Sequence, residues 1–320
     1  MTGKIYIVAT PIGNLGDITI RAVDTLKSVD HVLAEDTRHS KKLFAHYEIG
    51  TPLRAFHEHN EKDKTEAIIN EIHTGKSVAM ISDAGTPLIS DPGYYLVTQA
   101  KKVSIEVVPI PGPSALITAL SSSGLASNSF TFFGFLPSKP VARLKFLQTK
   151  TNLDETIIFY ESPKRILSTL EDMLEVFGES REVCLAKELT KSFETILTDR
   201  LPNLIEYLEA DISHQKGEFV ILVSPADKID LIESERQLNK LLPILCSEMG
   251  ASKAAKLAAK ITGIDKKHCY KRATALGVIF TSVTFFSATI FAPMASSAAP
   301  KAGRKKCIVM PRISAALMLH

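Results

Sequence analysis

Short apolar runs alternate with helical patterns in the first third of the chain, and this alternation is the strongest constraint on its fold. The runs are rich in β-branched residues and cover residues 4–10, 29–34, 77–82 and 104–110. Helical spacing of apolar residues separates them at 17–28, 61–74 and 93–102. Strands that alternate with helices predict an α/β fold with a largely parallel sheet, because parallel neighbours need crossover connections.

A second series of apolar runs and helical patterns predicts a second α/β domain. Its runs cover residues 130–135, 155–160, 182–188 and 218–224, and its helical patterns cover 163–177 and 201–210. The polar stretch 137–143 is expected to form a mobile loop. A chain of 320 residues is long enough for two domains. We predict an N-terminal α/β domain at 1–122, a C-terminal α/β domain at 123–228, a short helical segment at 229–272 and an atypical tail at 273–320.

The charge of the chain is unevenly distributed. The formal net charge is +3, but residues 266–320 hold nine basic residues and no acidic one. Removing those nine from the 38 basic residues leaves 29 basic against 35 acidic residues, so residues 1–265 carry −6. An acidic body gives no bulk-charge argument for nucleic-acid binding, although a local basic patch would still be compatible with it.

Cysteine usage and the first residues bear on the cellular compartment. The four cysteines are far apart, so we expect neither a disulfide framework nor a zinc site, and a reducing compartment fits best. The apolar run at residues 4–9 is too short for a signal sequence. We therefore expect a cytoplasmic protein.

Turns of small or charged residues follow six of the predicted strands. They are TPIGNLGD, AEDTR, SDAGTP and PIPGPSA in the first domain, and FYESPKR and AKELTK in the second. Each turn alone would only reverse the chain. Ligands of open α/β sheets lie beyond the carboxyl ends of the strands, so six such turns together indicate a ligand site. In the third turn, Asp83 is a carboxylate placed among residues that let a ligand approach the backbone.

Several common catalytic patterns are absent from the sequence. A phosphate-binding loop would need Gly where Asn70 stands, and no Gly-x-Gly-x-x-Gly follows the first strand. No serine nucleophile elbow occurs, and His57 and His59 are too few for a metal site, so no metal is expected. These absences favour a reaction in which a cofactor carries the reactive group.

The turn motifs resemble one family along most of the chain. The matching segments are YIVATPIGNLGDIT, AEDTRHS, SDAGTPLISDPG, PIPGPSALITALSSSGL, GFLP, FYESPKR, AKELTK and KGEFVILV. In this order they resemble the ribosomal RNA small subunit methyltransferase I family, which methylates the ribose 2′-oxygen of a 16S rRNA cytidine. That family belongs to the tetrapyrrole methylase superfamily. The resemblance covers residues 1 to about 270 and implies two α/β domains with a cleft between them for S-adenosyl-L-methionine.

The resemblance implies which residues bind the cofactor. Small or rigid turn residues would let the cofactor contact the backbone, and Asp83 would pair with its ammonium or sulfonium charge or, alternatively, only cap its turn. The residues expected to bind it are Pro11, Gly13, Asp83, Gly85, Thr86, Pro87, Pro111, Gly112, Tyr160 and Ala186.

The resemblance also implies attack of a ribose 2′-hydroxyl on the cofactor's methyl group, with positioning supplying much of the rate. Glu188, Lys187 and Glu161 are the expected catalytic residues, either as a base or, for Lys187, as a partner of the forming oxyanion. Other candidates for the base are Glu35, Asp36 and His57. RNA phosphates would contact Arg38, Lys139, Arg143 and Arg165. The expected partner is 16S rRNA within the small ribosomal subunit, and a homodimer is expected.

Two other functions are compatible with part of these observations. C-methylation of a tetrapyrrole is the other chemistry of the superfamily, but its members typically carry a Gly-Asp-Pro turn where this chain has SDAGTP. A non-catalytic ribosome-binding module would need no methyl donor. Binding of S-adenosylmethionine would discriminate against that module.

The tail departs from the family pattern. A basic start precedes an apolar block at residues 275–292, which is followed by Ala, Ser and Pro. The pattern resembles a displaced signal peptide, a membrane span near the lower limit of length, or a frameshifted or fused reading frame. A membrane partner is expected only if this block is a true anchor.

Overall fold

The computed structural model describes residues 3–226 and 228–276. The first domain is built on a five-stranded, fully parallel sheet with the strand order β3-β2-β4-β1-β5. Its strands are β1 (Ile5–Val8), β2 (His31–Ala34), β3 (Leu53–Ala55), β4 (Val78–Ile81) and β5 (Val107–Ile110). Its helices are α1 (Ile20–Ser28), α2 (Thr37–His46), α3 (Glu61–His73), α4 (Tyr94–Lys102) and α5 (Ala115–Ser122). The predicted parallel α/β unit is therefore confirmed.

The inner strands of this sheet are largely apolar because helices cover both of their faces. Every residue of β2 and β4 is buried. Leu26 and Phe44 belong to the core on one face, and Ile68 and Leu96 belong to the core on the other. Pro109 lies in β5, at the edge of the sheet, where its missing N–H removes no ladder bond.

The second domain has a mixed sheet with the strand order β6-β7-β10-β8-β9. Only β6 and β7 pair in parallel, and the other three pairings are antiparallel. The strands are β6 (Phe130–Phe135), β7 (Thr156–Glu161), β8 (Glu182–Lys187), β9 (Thr195–Arg200) and β10 (Phe219–Val223). The helices are α6 (Pro140–Gln148), α7 (Ile166–Phe177) and α8 (Leu201–Ala210). The second domain is therefore less parallel than its alternation of runs suggested.

The two faces of the second sheet have different partners. One face packs on Leu170 of α7 and Leu204 of α8. On the other face, Ile158 and Val220 share a core with Leu116 of α5, which belongs to the first domain. This shared core holds the carboxyl-end turns of the first sheet against the second domain.

The stretch 137–143 differs from its prediction as a mobile loop. Helix α6 begins within it at Pro140. Proline is well tolerated in the first turn of a helix, since its missing N–H would have no intrahelical partner there. The polar residues before Pro140 made the segment resemble a loop, whereas the helix buries Arg143 and Leu147.

The C-terminal segment is helical. Helix α9 (Lys228–Glu248) packs on α10 (Ala251–Thr262), and a further helix, α11, covers residues 266–276. Their shared core includes Leu238, Ala258 and Cys269. Among the residues that the structure describes, no helix is long and apolar enough to cross a membrane. Residues 277–320, and with them nearly all of the predicted tail, lie outside the described residues.

Candidate active site

The turns after β1 and β4 are joined into one wall. The N–H of Thr10 donates to the carbonyl of Gly85 at 2.9 Å, and the N–H of Gly85 donates back at 3.0 Å. The hydroxyl of Thr10 also donates to the carbonyl of Ser82 at 3.2 Å. Gly85 has a φ of +84°, a backbone conformation that is costly for a residue with a side chain. The SDAGTP turn therefore depends on glycine at this position.

The turn after β5 packs on the same wall. The hydroxyl of Thr86 donates to the carbonyl of Pro113 at 3.0 Å. A Cβ atom on Gly112 would lie 2.9 Å from the Cβ of Ala9, at the end of β1. Close packing of the chain on itself therefore accounts for Gly112, and three strand ends of the first sheet form one continuous surface.

A loop of the second domain closes over the turn after β1. The N–H of Asn14 donates to the hydroxyl of Thr190 at 3.0 Å. A Cβ atom on Gly13 would lie 2.6 Å from Cγ of Lys191 and 2.9 Å from the carbonyl oxygen of Leu189. The absence of a side chain at Gly13 thus lets the two domains meet.

Two adjoining cavities lie where the domains meet. The larger, of about 440 Å³, is lined by Asp83, Gly85, Thr86, Tyr160 and Glu161 among the predicted site residues. The smaller, of about 340 Å³, is lined by Pro11 and Gly13. Both cavities are bordered by Ile12, Asp83, Ala84 and Glu218. Pro87, Pro111, Gly112 and Ala186 line neither cavity, and Ala186 is fully buried in the core shared by the domains.

Negative charge is concentrated at the larger cavity. Burial raises the pKa of Asp91 to about 6; a hydrogen bond with Ser82 opposes this shift and the nearby charge of Asp83 adds to it. Burial is also the main cause of the raised pKa of Glu35, followed by the charges of Asp91 and Asp83. A cavity that holds carboxylates in mutual repulsion favours a cationic ligand, which would relieve that repulsion.

Asp83 has a structural role as well as its place at the cavity. Its Oδ1 accepts a hydrogen bond from the N–H of Asp36 at 3.0 Å, which links the turn after β4 to the turn after β2. The carboxylate also borders both cavities. Asp83 therefore links two turns instead of capping its own, and it also presents a carboxylate to the cavities.

An aromatic side chain forms the wall contributed by the second domain. Burial raises the pKa of the Tyr160 hydroxyl, and a backbone hydrogen bond with Leu116 partly opposes that shift. The rings of Phe132 and Phe135 meet the Tyr160 ring edge-on, at centroid distances of 4.8 Å and 5.7 Å. These contacts hold Tyr160 in place against the cavity.

Each of the three residues predicted to be catalytic is bonded within the protein. The carboxylate of Glu161 is 0% exposed and accepts hydrogen bonds from Arg165, Thr169 and the N–H of Ser162. The ammonium of Lys187 donates to the carbonyl of Ser213 at 2.8 Å.

Glu188 belongs to a small ionic network. Burial alone would raise the pKa of its carboxyl, but hydrogen bonds from Lys191 and from the N–H of Glu218 outweigh it and lower that pKa. Lys187 and Glu188 line neither cavity, whereas Lys191 and Glu218 do. Lys191 bonds to both glutamates, at 2.9 Å and 2.8 Å.

The predicted phosphate-binding residues differ widely in exposure. Lys139 is exposed, and Arg38 is 88% exposed and pairs with Asp36. Arg165 is partly buried and bonds to Glu161. Arg143 departs from the expectation, because its side chain is 2% exposed and its guanidinium donates to Asp172 at 2.6 Å. Because the guanidinium of Arg143 is buried and bonded to Asp172, it is not available to bind RNA.

Comparisons with known proteins agree with this architecture. The model of the tetrapyrrole (corrin/porphyrin) methylases matches residues 4–205, and that of the RsmI C-terminal HTH domain matches residues 233–277. The crystal structure of uroporphyrin-III-C-methyltransferase from Thermus thermophilus is similar in fold, with a TM-score of 0.51 and 20% identity. That likeness covers 69% of this chain and 94% of the other. Fold and cavity together define a methyltransferase of the tetrapyrrole methylase class.

Relatives with higher sequence identity identify the family within this class. The ribosomal RNA small subunit methyltransferase I of Vibrio cholerae serotype O1 is 51% identical over 267 residues, which cover 83% of this chain and 93% of the relative. Its counterpart in Haemophilus influenzae is 48% identical over 272 residues, which cover 85% of this chain and 96% of the relative. The chain belongs to the ribosomal RNA small subunit methyltransferase I family.

Members of this family take their methyl group from S-adenosyl-L-methionine, and the larger cavity fits that molecule. Its volume of about 440 Å³ is within the usual range for small-molecule sites. Glu35, Asp83 and Asp91 line it and would provide negative charge for the sulfonium and ammonium groups. Asp91 was not predicted from the sequence, because it lies ten residues after the end of β4 and only the fold brings it to the cavity.

Proposed function

We propose that this chain transfers a methyl group to the ribose 2′-oxygen of a decoding-centre cytidine in 16S rRNA. The observation that carries the proposal is the pair of adjoining cavities, one lined by carboxylates and the other reached by cationic side chains. Membership of the family supports ribosomal RNA as the substrate. The 2′-oxygen and the particular cytidine rest on the resemblance of the turn motifs.

The larger cavity would hold the methyl donor. When bound there, S-adenosylmethionine supplies an electrophilic methyl group. Asp83 and Asp91 would offset the cofactor's positive charge, and Tyr160 and Leu189 would exclude water from one side. Gly85 has a positive φ and no side chain, so the backbone of the turn forms the cavity wall at this position.

The smaller cavity would hold the target nucleotide. His39, Lys42 and Lys191 line it and offer donors and positive charge to a sugar–phosphate group. Lys187 and Glu188 would then be positioning residues, because Glu188 bonds to Lys191 and Lys187 ties the same chain segment to Ser213. Glu161 would hold Arg165 rather than react.

A carboxylate at the junction of the cavities would accept the proton of the hydroxyl. Of the acidic residues, Asp83 and Glu218 border both cavities. Glu218 is largely exposed and pairs with Lys191, which leaves Asp83 as the better-placed acceptor. Asp83→Asn keeps an oxygen for the N–H of Asp36 but removes the charge, so methyl transfer should fall by about 10²-fold or more.

Cofactor binding is the first test of this proposal. Calorimetry on the full chain should detect binding of S-adenosylmethionine or S-adenosylhomocysteine without added metal. Asp83→Ala and Gly85→Val should both weaken it, the first by removing charge and the second by straining the turn. If neither compound binds at millimolar concentration, the methyltransferase proposal fails. Binding would argue against a non-catalytic ribosome-binding module.

The position of the methyl group is tested in cells. A strain that lacks the gene should lose one 2′-O-methylcytidine of the decoding centre, detected by mass spectrometry of nuclease digests of 16S rRNA. An unchanged methylation pattern would refute the assignment of this nucleotide. Assays with naked RNA and with the assembled small subunit would identify the form of the substrate, since the acidic body favours the folded particle.

We further propose that the chain acts as a homodimer in the cytoplasm, following the resemblance. Light scattering on the purified full chain measures its oligomeric state, and fractionation of cells measures its location.

Tetrapyrrole C-methylation is the alternative chemistry on this fold, and an assay with uroporphyrinogen III would test it.

A further inference from the structure

The last two described helices have a charge opposite to that of the rest of the chain. Residues 251–276 hold six lysines, one arginine and a single acidic residue, Asp265, which gives a net charge of +6. Residues 1–250 hold 26 basic and 34 acidic residues and carry −8. A polyanionic substrate would therefore be repelled by the body that contains the cavities and attracted to this small module.

The packing of α10 and α11 directs their lysines outward. A turn of three residues, 263–265, joins the two helices, and Gly263 within it has a φ of +69°. Ala254, Ala255 and Ala258 of α10 are buried, as are Cys269 and Ala273 of α11. Two helices joined by so short a turn form the helix-turn-helix unit that many proteins use to contact nucleic acids.

Six lysines of this unit are exposed and form no ion pair within the described residues. They are Lys253, Lys256, Lys260, Lys266, Lys267 and Lys271, which we call the basic helical face. Arg272 is different, because its guanidinium is bonded to Glu235 and Asn239. Asp265 accepts hydrogen bonds from the N–H groups of Lys267 and His268 and caps α11, and its single negative charge offsets only one of the six lysines.

An aromatic side chain lies among these lysines. Tyr270 is 47% exposed although it follows the fully buried Cys269. An exposed ring between lysines suits nucleic acid, because unpaired bases stack on aromatic side chains while lysines neutralise phosphates. Double-stranded RNA has a major groove too narrow for side chains to read, so contacts of this kind go to the backbone and to unpaired bases.

We infer that the basic helical face binds the phosphate backbone of the substrate RNA and thereby brings the acidic catalytic body to it. This inference rests on the proposed function, since it takes ribosomal RNA as the substrate. The lysines act as point charges and give affinity without sequence preference. Specificity for the target nucleotide comes from the residues that line the cavities.

The test measures RNA binding by the full-length chain at increasing salt. The probe is an RNA hairpin with the decoding-centre sequence, and the variant is Lys266→Gln/Lys267→Gln/Lys271→Gln. We expect its Kd to rise by about tenfold or more and the slope of log affinity against log salt to become shallower by about two, since each lost phosphate contact removes about 0.7–0.9 from the slope. Circular dichroism and urea denaturation of the same sample report whether the variant, including its helical segment, is folded.

A matched control removes equally exposed lysines elsewhere. Lys62→Gln/Lys101→Gln/Lys102→Gln changes three exposed lysines of α3 and α4 that form no ion pair in the described part of the chain, so RNA affinity should be unchanged. If the α11 variant does not fold, Lys253→Gln/Lys256→Gln/Lys260→Gln on α10 takes its place with the same expected loss. Wild-type RNA affinity and salt slope in a folded variant would overturn the inference.

Three further outcomes separate this inference from its alternatives. Binding of the wild-type chain to vesicles containing phosphatidylglycerol, without binding to the hairpin, would overturn the inference in favour of a lipid surface. Lysine-dependent binding of the hairpin by a chain that transfers no methyl group to 16S rRNA would support the inference while the proposed function fails. Methyl transfer with RNA binding that is independent of these lysines would refute the inference alone.

Discussion

At the scale of single residues, Asp91 is the acidic group whose titration should be visible in ligand binding. Burial raises its pKa to about 6 from 3.8, so its charge changes close to neutral pH. We expect the affinity for S-adenosylmethionine to fall as the pH is lowered through about 6, because protonation removes a charge that faces the cationic cofactor. Asp91→Asn should remove this pH dependence, which calorimetry between about pH 5 and pH 8 would measure.

S-adenosylhomocysteine is the matched ligand for this experiment because it lacks the sulfonium charge. Its affinity should depend less on pH, and equal pH dependence for both ligands would contradict an interaction between Asp91 and the sulfonium. The folded pKa is raised, so the stability linked to Asp91 is fully present below about pH 4 and is lost as the pH rises through 6. Asp91→Asn should therefore raise the free energy of unfolding at pH 7 by about 1 kcal/mol. This value is smaller than the free energy that corresponds to a shift of about two pKa units, because solvent screens the partly solvated site.

Residues that directly follow a strand were predictable from the sequence. Asp83 and Gly85 could be found because they follow the end of β4, and the structure puts them at the larger cavity. Asp91 could not, since its position depends on how the SDPG turn folds back onto Ser82. Arg143 has the sequence context of an exposed loop, and only the packing of α6 on α7 reveals that it is buried.

At the scale of elements, the ion pair between Arg143 and Asp172 joins α6 to α7. Arg143 also donates to the carbonyl and hydroxyl of Ser168, both at 3.3 Å. Arg143→Gln would leave the carboxylate of Asp172 without its partner in a largely buried site. We expect it to lower the free energy of unfolding by about 3 kcal/mol, measured by urea denaturation, with no loss of RNA affinity per folded molecule.

Lys139 is the comparison for Arg143, because it is exposed at the N-terminal end of the same helix. Lys139→Gln should leave the free energy of unfolding within about 0.5 kcal/mol of the wild type. If Lys139 contacts RNA as proposed, its substitution should weaken RNA binding. A loss of RNA affinity in folded Arg143→Gln would instead show that the guanidinium leaves its pocket to reach RNA.

Long, strongly periodic elements were predicted, and short or exposed ones were missed. Strand β3 has three residues, none of them buried, and β9 is an edge strand whose residues are all at least partly exposed. Neither has the apolar run by which a strand is recognised. Helix α5 is nearly all apolar or small. It buries Leu116, Ala119 and Leu120 between the domains but leaves Ile117 49% exposed, so its apolar residues do not mark a single face.

At the scale of the whole molecule, the sequence predicted two α/β units, but the strand directions of the second were not foreseeable. Apolar runs alternate with helical patterns in both halves, yet β10 pairs antiparallel with both β7 and β8. Whether two strands pair in parallel or antiparallel depends on which strands become neighbours. The lengths of chain between the apolar runs do not determine which strands become neighbours. The packing of α5 on β10 likewise could not be predicted, because it brings together segments that are far apart in the sequence.

Removal of the tail tests how much of the chain the catalytic body needs. Among the residues that the structure describes, every one that lines the two cavities precedes residue 221, and the family model of the helical segment ends at residue 277. We expect a chain that ends at residue 276 to bind S-adenosylmethionine with wild-type affinity in calorimetry. Ending it at residue 272 should destabilise the helical segment, because Ala273 is buried and Leu276 packs on its core.

The outcome for the full-length chain discriminates among the interpretations of the apolar block. If the full chain pellets with membranes and the chain ending at residue 276 does not, the anchor is supported over a frameshifted or fused reading frame. Loss of cofactor binding on truncation at residue 276 would show that the block belongs to the core or to a dimer interface. That result would contradict the prediction that the block is dispensable.

The contact of Gly13 with residues 189–191 tests whether the closeness of the two domains controls the cavities. A Cβ atom at Gly13 would lie 2.7 Å from the hydroxyl of Thr190 and 2.9 Å from the carbonyl oxygen of Leu189, so backbone must move to admit it. Ile12 and Leu189 both line the larger cavity, which would widen with that movement. We expect Gly13→Ala to raise the Kd for S-adenosylmethionine about tenfold while destabilising the fold by only about 1–3 kcal/mol.

Gly50→Ala is the matched control, because a Cβ atom there would meet no atom of the described residues within 4 Å. The Kd should equal that of the wild type, and the free energy of unfolding should change by no more than about 0.5 kcal/mol. Calorimetry and urea denaturation on the same samples separate the two effects of Gly13→Ala. A variant that binds the cofactor as tightly as the wild type would show that the cavity tolerates a wider separation of the domains. A loss of binding that only follows a loss of folded protein would show that Gly13 serves stability alone.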